Sequence, residues 1–442
     1  MEGKLTAWYA LVRVCRKWRD IVSGSPLRLN LQLYFVPHRT QLMRKMVAWP
    51  ALPIVVTGNC DETRDNKMWA DNIVAVFKHS DRICLLNLDE IRSWQLEILL
   101  AAMQQPFPAL TRLCLSSKDG ETAPVVPDSF LGGSAPHLRF LVLESFPFPG
   151  LPKLLLSATQ LFYLNLWDIP QSGYISPETM VACLAVMTRL KELRITFKSP
   201  GRRSRPPPPP TRTLLPVLTS LVFKGVSEYL EDLVARIDAP LLLNLNVTFF
   251  HQLILDTPQL TQFITRTPNF KIPDEVDEDE VFLEFSNGIA QVAYRPSFGL
   301  SLGMSCRASD WQLSFLTQMC NWSFLQGLIP KVENLYIQDL PIYSRSDPPW
   351  RDDVEGSHWQ WLEFLRPFTA VRDLCISEKC VPRIAPALQE LVGERATEAL
   401  PALQTVFLKE AALSSGPVQE AIQQFVTRRQ HSSHPIAVSR WE

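Results

Sequence analysis

The sharpest candidate for chemistry is a serine framed by glycines, Gly299-Leu300-Ser301-Leu302-Gly303. A G-x-S-x-G nucleophile elbow needs a buried strand before the serine, a helix directly after it, and an acid and a histidine further on. His358, His431 and His434 lie downstream, but Pro296 sits just upstream and MSCRASDW continues strand-like until Ser309. Strand alternation accounts for Leu300, Leu302 and Met304 equally well. A serine hydrolase using Ser301 is therefore the remote alternative. Cys375 and Cys380 are five apart with no histidine pair nearby, and the chain has no Walker A, Rossmann or H-E-x-x-H motif. The expectation is a non-enzymatic protein with no catalytic, cofactor-binding or metal-ligating residues and no cofactor.

The composition agrees with that. At 442 residues the chain exceeds one ordinary domain, so it is either several domains or one repeat array. Hydrophobic residues at 46% are enough for a packed core throughout. A net charge of −1 offers no global attraction to nucleic acid or to an anionic membrane, and neither is expected as a partner. Arg13, Arg16, Lys17 and Arg19 break the first apolar stretch, and no run of apolar residues is long enough for a transmembrane helix. Nine cysteines, an odd number without a C-x-x-C pair, imply a reducing compartment, cytoplasmic or nuclear.

Internal similarity is the strongest signal. FPALTRLCL (107–115), APHLRFLVL (135–143), LPVLTSLVF (215–223), APLLLNLNV (239–247), IPKVENLYI (329–337) and LPALQTVFL (400–408) share one pattern: proline, then aliphatics ending in an alternating L-x-L. TQLFYLNL (159–166) and TRLKELRI (188–195) repeat it without the proline. The markers Leu110, Leu138, Leu161, Leu190, Leu218 and Leu242 stand 23 to 29 residues apart, which falls within the period of about 20–29 for leucine-rich repeats. The L-x-L alternation predicts a short strand with one buried face.

Helix starts fall between these strands. Ser176-Pro177-Glu178 reads as a cap, a first-turn proline and an acid; Thr257-Pro258 opens another helix; Ser93 and Ser227 precede two more. The predicted fold class is α/β, a leucine-rich-repeat-like solenoid (an irregular horseshoe) over residues 28–412. Loops interrupt it near 198–212, where PGRRSRPPPPPTR reads as exposed polyproline, and near 272–284, where DEVDEDEVFLE reads as a solvated acidic run. No repeat register can be set from about 266 to 310. Residues 413–442 are expected to form a capping helix and tail.

At the N-terminal end, Trp8, Leu11, Val12, Cys15, Trp18, Ile21 and Val22 recur every three or four places, the signature of an amphipathic helix or helix pair. LVRVCRKWRDIVSGSPLRLNL (11–31) resembles the second half of an F-box, with Val14, Cys15, Arg16, Trp18 and Arg19 matching residue by residue. Further landmarks, among them WPALPIVV (49–56), SCRASDWQLS (305–314) and HPIAVSRW (434–441), resemble the F-box proteins with degenerate leucine-rich repeats that are expanded in mushroom-forming fungi. The resemblance assigns residues 1–27 to a partial F-box; the family's Leu-Pro-containing first helix has no counterpart here. It implies a substrate-recognition subunit of a cullin–RING ubiquitin ligase, contacting a Skp-type adaptor through Leu11, Val14, Cys15, Trp18 and Arg19. The alternative is a repeat-built interaction scaffold with no ligase link.

In either case a protein partner would meet the outward strand positions. The repeat frame aims Phe140, Val142 and Glu144 outward, then Tyr163, Asn165 and Trp167, then Glu192, Arg194 and Thr196. Of these, Phe140, Glu144, Tyr163, Asn165, Trp167 and Arg194 form the expected partner-binding concave face, because large aromatics and arginine anchor interfaces.

Overall fold

The computed structural model describes residues 14–24, 33–37, 52–62, 66–119, 124–147, 151–199, 211–250, 256–270, 280–285, 288–295, 299–306, 309–322, 325–339, 358–391, 395, 398–409, 417–431 and 435–441. The chain is α/β and divides into two units, each built on an open sheet and not a closed barrel. The first unit comprises residues 1–202, 206–219 and 236–240, and the second comprises the remainder.

In the first unit, seven strands lie side by side in chain order among the described residues. They are β1 (Leu33–Phe35), β2 (Ile54–Asn59), β3 (Ile83–Ile91), β4 (Arg112–Ser117), β5 (Phe140–Glu144), β6 (Tyr163–Ile169) and β7 (Glu192–Phe197). Every neighbouring pair is parallel. An order that never reverses has no switch point, so the sheet is not doubly wound. Helix α1 (Arg16–Gly24) precedes the sheet; α2 (Asn66–Phe77), α3 (Ser93–Ala102), α4 (Leu151–Ser157) and α5 (Pro177–Leu184) connect strands. A two-residue pair, β8 (Thr213–Leu214) with β10 (Ile237–Asp238), completes the unit.

The repeat proline has a local cause. Leu110 N–H donates to the Phe107 carbonyl, Leu138 to Ala135 and Leu218 to Leu215, so each repeat enters its strand through the same i→i+3 turn. Pro108, Pro136 and Pro216 occupy the second position of that turn, which favours the fixed φ of proline and needs no donor there. One residue past each turn, the backbone N–H reaches the previous rung: Thr111 to Cys84, Arg139 to Thr111, Phe162 to Arg139, Lys191 to Phe162. The strand alternation then buries Leu113 and Leu115, Leu141 and Leu143, Leu164 and Leu166, Leu193 and Ile195 on one face. Each such side chain contributes about 1.5–3 kcal/mol on leaving water. Helix residues such as Leu96, Leu99, Leu154, Met180 and Leu184 are buried too, so the core lies between that face and the helices. Just past the strands, Phe146 and Ile169 are buried apolar residues, and the N–H groups of Lys118 and Lys198 bond to the carbonyls of Ile91 and Ile169 on the preceding strands.

The second unit departs from chain order. Its strands run β9 (Ser220–Gly225), β11 (Asn244–Phe250), β14 (Gly299–Ser305), β13 (Ile289–Arg295), β12 (Glu280–Phe285), β15 (Asn334–Asp339), β16 (Asp373–Ile376), β17 (Thr405–Lys409) and β18 (Ala437–Trp441). The chain crosses from β11 to β12, then meanders back, so β13 alone among the described strands is antiparallel to its neighbours. Helices α6 (Ser227–Ala235), α7 (Pro258–Arg266), α8 (Ser309–Cys320), α9 (His358–Leu365), α10 (Val381–Glu390) and α11 (Pro417–His431) belong to this unit.

Two sequence expectations are corrected here. The acidic loop expected to run to 284 ends earlier: Glu280–Phe285 is strand β12, in which Val281, Leu283 and Phe285 recur every second place and are buried. Glu284 is buried and accepts hydrogen bonds from Gln291 and Gln338. The expected tail after the C-terminal helix is a strand, since β18 pairs in parallel with β17. A helix start is also capped differently from its sequence signature. Thr257 makes no capping bond; the buried Glu231 carboxylate, from the preceding helix, accepts from the N–H groups of Gln259 and Leu260 at 2.9 and 2.8 Å. Ser176, by contrast, caps as expected, accepting from Thr179 N–H at 3.0 Å.

Candidate functional site

The outward positions of β4–β7 form rows across the strands because the parallel register is in phase. Arg112, Phe140, Tyr163 and Glu192 are successive partners, as are Cys114, Val142, Asn165 and Arg194, and then Ser116, Glu144 and Trp167. Five of the six expected site residues, Phe140, Glu144, Tyr163, Asn165 and Arg194, are half-buried, and Trp167 is exposed. The structure thus brings all six onto one face. Phe140 lies 6.0 Å from the Tyr163 ring and 5.8 Å from Phe162. Guanidinium groups cover two of these rings, Arg112 over Phe140 at 5.0 Å and Arg194 over Tyr163 at 5.8 Å. Arg194 also pairs with Glu192 at 3.6 Å, while its Nε and the Oδ1 of neighbouring Asn165 are buried without a hydrogen-bond partner.

Thr196 differs from expectation. It is buried, because the β6–β7 register shifts between Leu166 and Ile169 and its hydroxyl accepts from Asp168 N–H at 2.8 Å. Asp168, with φ of 49°, is the residue that turns at this bulge; Glu90 and Ser145 hold similar left-handed conformations at the same end of β3 and β5. Non-glycine residues keep such conformations only where their surroundings enforce them.

This end of the rungs is acidic. Partial burial first, then the like charges of Asp168, Glu90 and Asp89, push the Glu144 carboxyl above its ordinary range, against a hydrogen bond from Ser116. Burial, followed by Glu90, raises Asp89 as well. Sequence reading missed Asp168, Asp89 and Glu90 as part of this face, because bulges shift residues off the period-two frame.

The described F-box-like residues stand on helix α1 and just before it. Val14, Trp18 and Ile21, spaced four and three apart, are 68%, 45% and 48% exposed, so this apolar stripe is uncovered by the described residues. Cys15 and Arg19 are exposed beside it. Leu11 lies outside the described residues, as do 200–210 of the polyproline segment, 274–279 of the acidic run, and His434.

Ser301 occupies the middle of β14, with Asn246 and Ala293 as register partners, and the strand continues to Ser305. Its Oγ is buried with no hydrogen-bond partner, unlike a serine activated by a base. The flanking glycines lie close to neighbouring side chains: a Cβ on Gly299 would meet the flexible end of the Asn244 side chain, and one on Gly303 would stand 3.0 Å from the Gln291 Cβ. Cys375 and Cys380 are buried on a strand and at a helix start, and burial pushes the Cys375 thiol up to about 12, far from a thiolate. Burial likewise moves the Cys60 thiol to about 12 and Cys183 to about 11. No group of three potential metal ligands and no helix long and apolar enough to cross a membrane occurs among the described residues.

No known family model matches the chain, and neither does any curated protein.

Proposed function

We propose that this chain is a non-enzymatic substrate-recognition subunit of the F-box type, linking a protein partner to a cullin–RING ubiquitin ligase. Its body would be a leucine-rich-repeat-like solenoid. The observation that carries the reading is α1. A short amphipathic helix that leaves a tryptophan and an isoleucine in water, with Val14 exposed just before it, gains by docking against another protein. Its residues are those that resemble an F-box, which makes a Skp-type adaptor the partner for that stripe. The in-phase rungs of β4–β7 support the second half of the reading, since they offer aromatic and charged side chains to a partner over several repeats at once.

Co-purification of a Skp-type adaptor with the wild-type chain and with a Trp18→Ala, Ile21→Ala double variant tests the proposal. Capture by the wild type and loss in the variant is the expected result. Absence of capture by the wild type would favour the scaffold without a ligase link, which uses the same rungs and does not need α1.

A further inference from the structure

Resting on the reading of the β4–β7 face as a partner-binding surface, the charge of that partner follows from the edge where the chain enters these rungs. The entry turns 106–112, 134–140, 157–163 and 185–192 carry Arg112, Arg139, Arg189 and Lys191, and Glu192 is their one acid. Successive backbone bonds align them: Arg139 N–H donates to Thr111, Phe162 to Arg139 and Lys191 to Phe162. The register places Arg112, Phe140, Tyr163 and Glu192 in the next row, with Arg194 one row further on. Arg112, Arg139 and Lys191 are exposed, and Arg194 is half-buried.

Rings rather than carboxylates hold these cations. Arg112 lies over Phe140 at 5.0 Å, Lys191 over Phe162 at 5.0 Å and Arg194 over Tyr163 at 5.8 Å, while Phe140 packs against both Phe162 and Tyr163. Arg112, Arg139 and Lys191 have no carboxylate partner among the described residues. Glu192 stands 3.6 Å from Arg194, too far for a hydrogen bond. Beside it, Arg194 Nε and the Oδ1 of its register partner Asn165 are buried without a hydrogen-bond partner. A ring fixes a cation in place but supplies no acceptor to its N–H groups. Positive charge is therefore preorganised along this edge, and what the edge lacks is an anionic acceptor.

We propose that the entry edge of β4–β7 binds an acidic segment of the protein partner, whose aspartate or glutamate carboxylates accept from Arg112, Lys191 and Arg194. A basic segment would meet like charge. A single-stranded nucleic acid would need open ring faces for its bases, and here each ring already carries a cation.

The test uses the purified full chain and a phage-displayed library of random twelve-residue peptides. Selected peptides should be enriched in aspartate and glutamate. The tightest, measured by fluorescence polarisation, should bind about tenfold more weakly to the Arg112→Gln, Lys191→Gln double variant, as the loss of two partly exposed ion pairs implies. The same variant should reduce the sensitivity of binding to added salt. Glu192→Gln should instead tighten binding, because it removes the one carboxylate that competes for Arg194. That second variant keeps the test decisive if the double variant perturbs folding. Recovery of no peptide, enrichment without acidic residues, acidic peptides indifferent to the double variant, or weaker binding to Glu192→Gln would each overturn the proposal. So would tighter binding of an oligothymidine strand than of any selected peptide. Adaptor co-purification reports separately on α1. Failure of peptide binding with the adaptor retained would sink this inference alone, and the reverse would sink only the ligase link.

Discussion

Leu166 and Asn165 are chain neighbours on β6 that point to opposite faces, so paired alanine substitutions test the strand frame on which the candidate site depends. Leu166 is fully buried, with Leu143 and Ile195 as buried register partners. Truncating such a leucine removes its transfer free energy and leaves a cavity, at a cost of about 2–5 kcal/mol. Asn165 faces outward. Its amide makes one long hydrogen bond, 3.4 Å to Tyr163 Oη, and its Oδ1 is buried without a partner. Removing an unsatisfied acceptor recovers desolvation free energy that roughly offsets the lost contacts, so Asn165→Ala should stay within about 1 kcal/mol of the wild type. Urea denaturation followed by far-ultraviolet circular dichroism separates the two. With a slope of a few kcal/mol per molar, Leu166→Ala should lower the midpoint by about 1 M, and Asn165→Ala should barely move it. Equal losses, or the larger loss for Asn165→Ala, would refute the frame, because a one-residue slip exchanges the two faces.

Other expectations follow from single contacts. Ser301→Ala should leave the thermal midpoint unchanged or slightly higher, because it removes a buried hydroxyl with no partner; a marked loss of stability would mean that the hydroxyl has a role. Glu231→Gln should destabilise the chain by about 1–3 kcal/mol in denaturant titration, since the charged acceptor for two N–H groups at the start of α7 is lost. Glu144 titrates above its ordinary range in the folded protein, so its protonated form favours the fold. That stability is fully present below the unfolded-state pKa and is lost as pH rises through the raised value. Glu144→Gln should therefore raise thermal stability at pH 7 and bring no gain at about pH 4, near the unfolded-state carboxylate value; a loss at pH 7 would contradict the assigned direction.

The rungs were legible in the sequence where a strand buries one face and shows the other. The L-x-L pairs at Leu141 and Leu143, Leu164 and Leu166, and Leu193 and Ile195 are all inward, and their neighbours Phe140, Tyr163 and Asn165 are not. The repeat prolines marked the turns, and Ser176 marked a cap. Other features left no such trace. Alternation reads the same in a parallel and an antiparallel strand, so the reversal through β12, β13 and β14 could not be seen. The charge run masked β12, although Val281, Leu283 and Phe285 keep the period of two at its end. Bulges moved Thr196 inward and brought Asp168 into the acidic end, because a bulge adds a residue that no fixed period accommodates. The G-x-S-x-G pattern lies along strand β14, beside Asn244 and Gln291, and not at a strand-to-helix turn.

On the proposed reading the chain docks a Skp-type adaptor through α1. The most direct measurement is light scattering on size-exclusion chromatography of the purified chain mixed with that adaptor. The prediction is a complex of one copy each, which the Trp18→Ala, Ile21→Ala variant fails to form. Elution of the adaptor apart from the wild-type chain would contradict it.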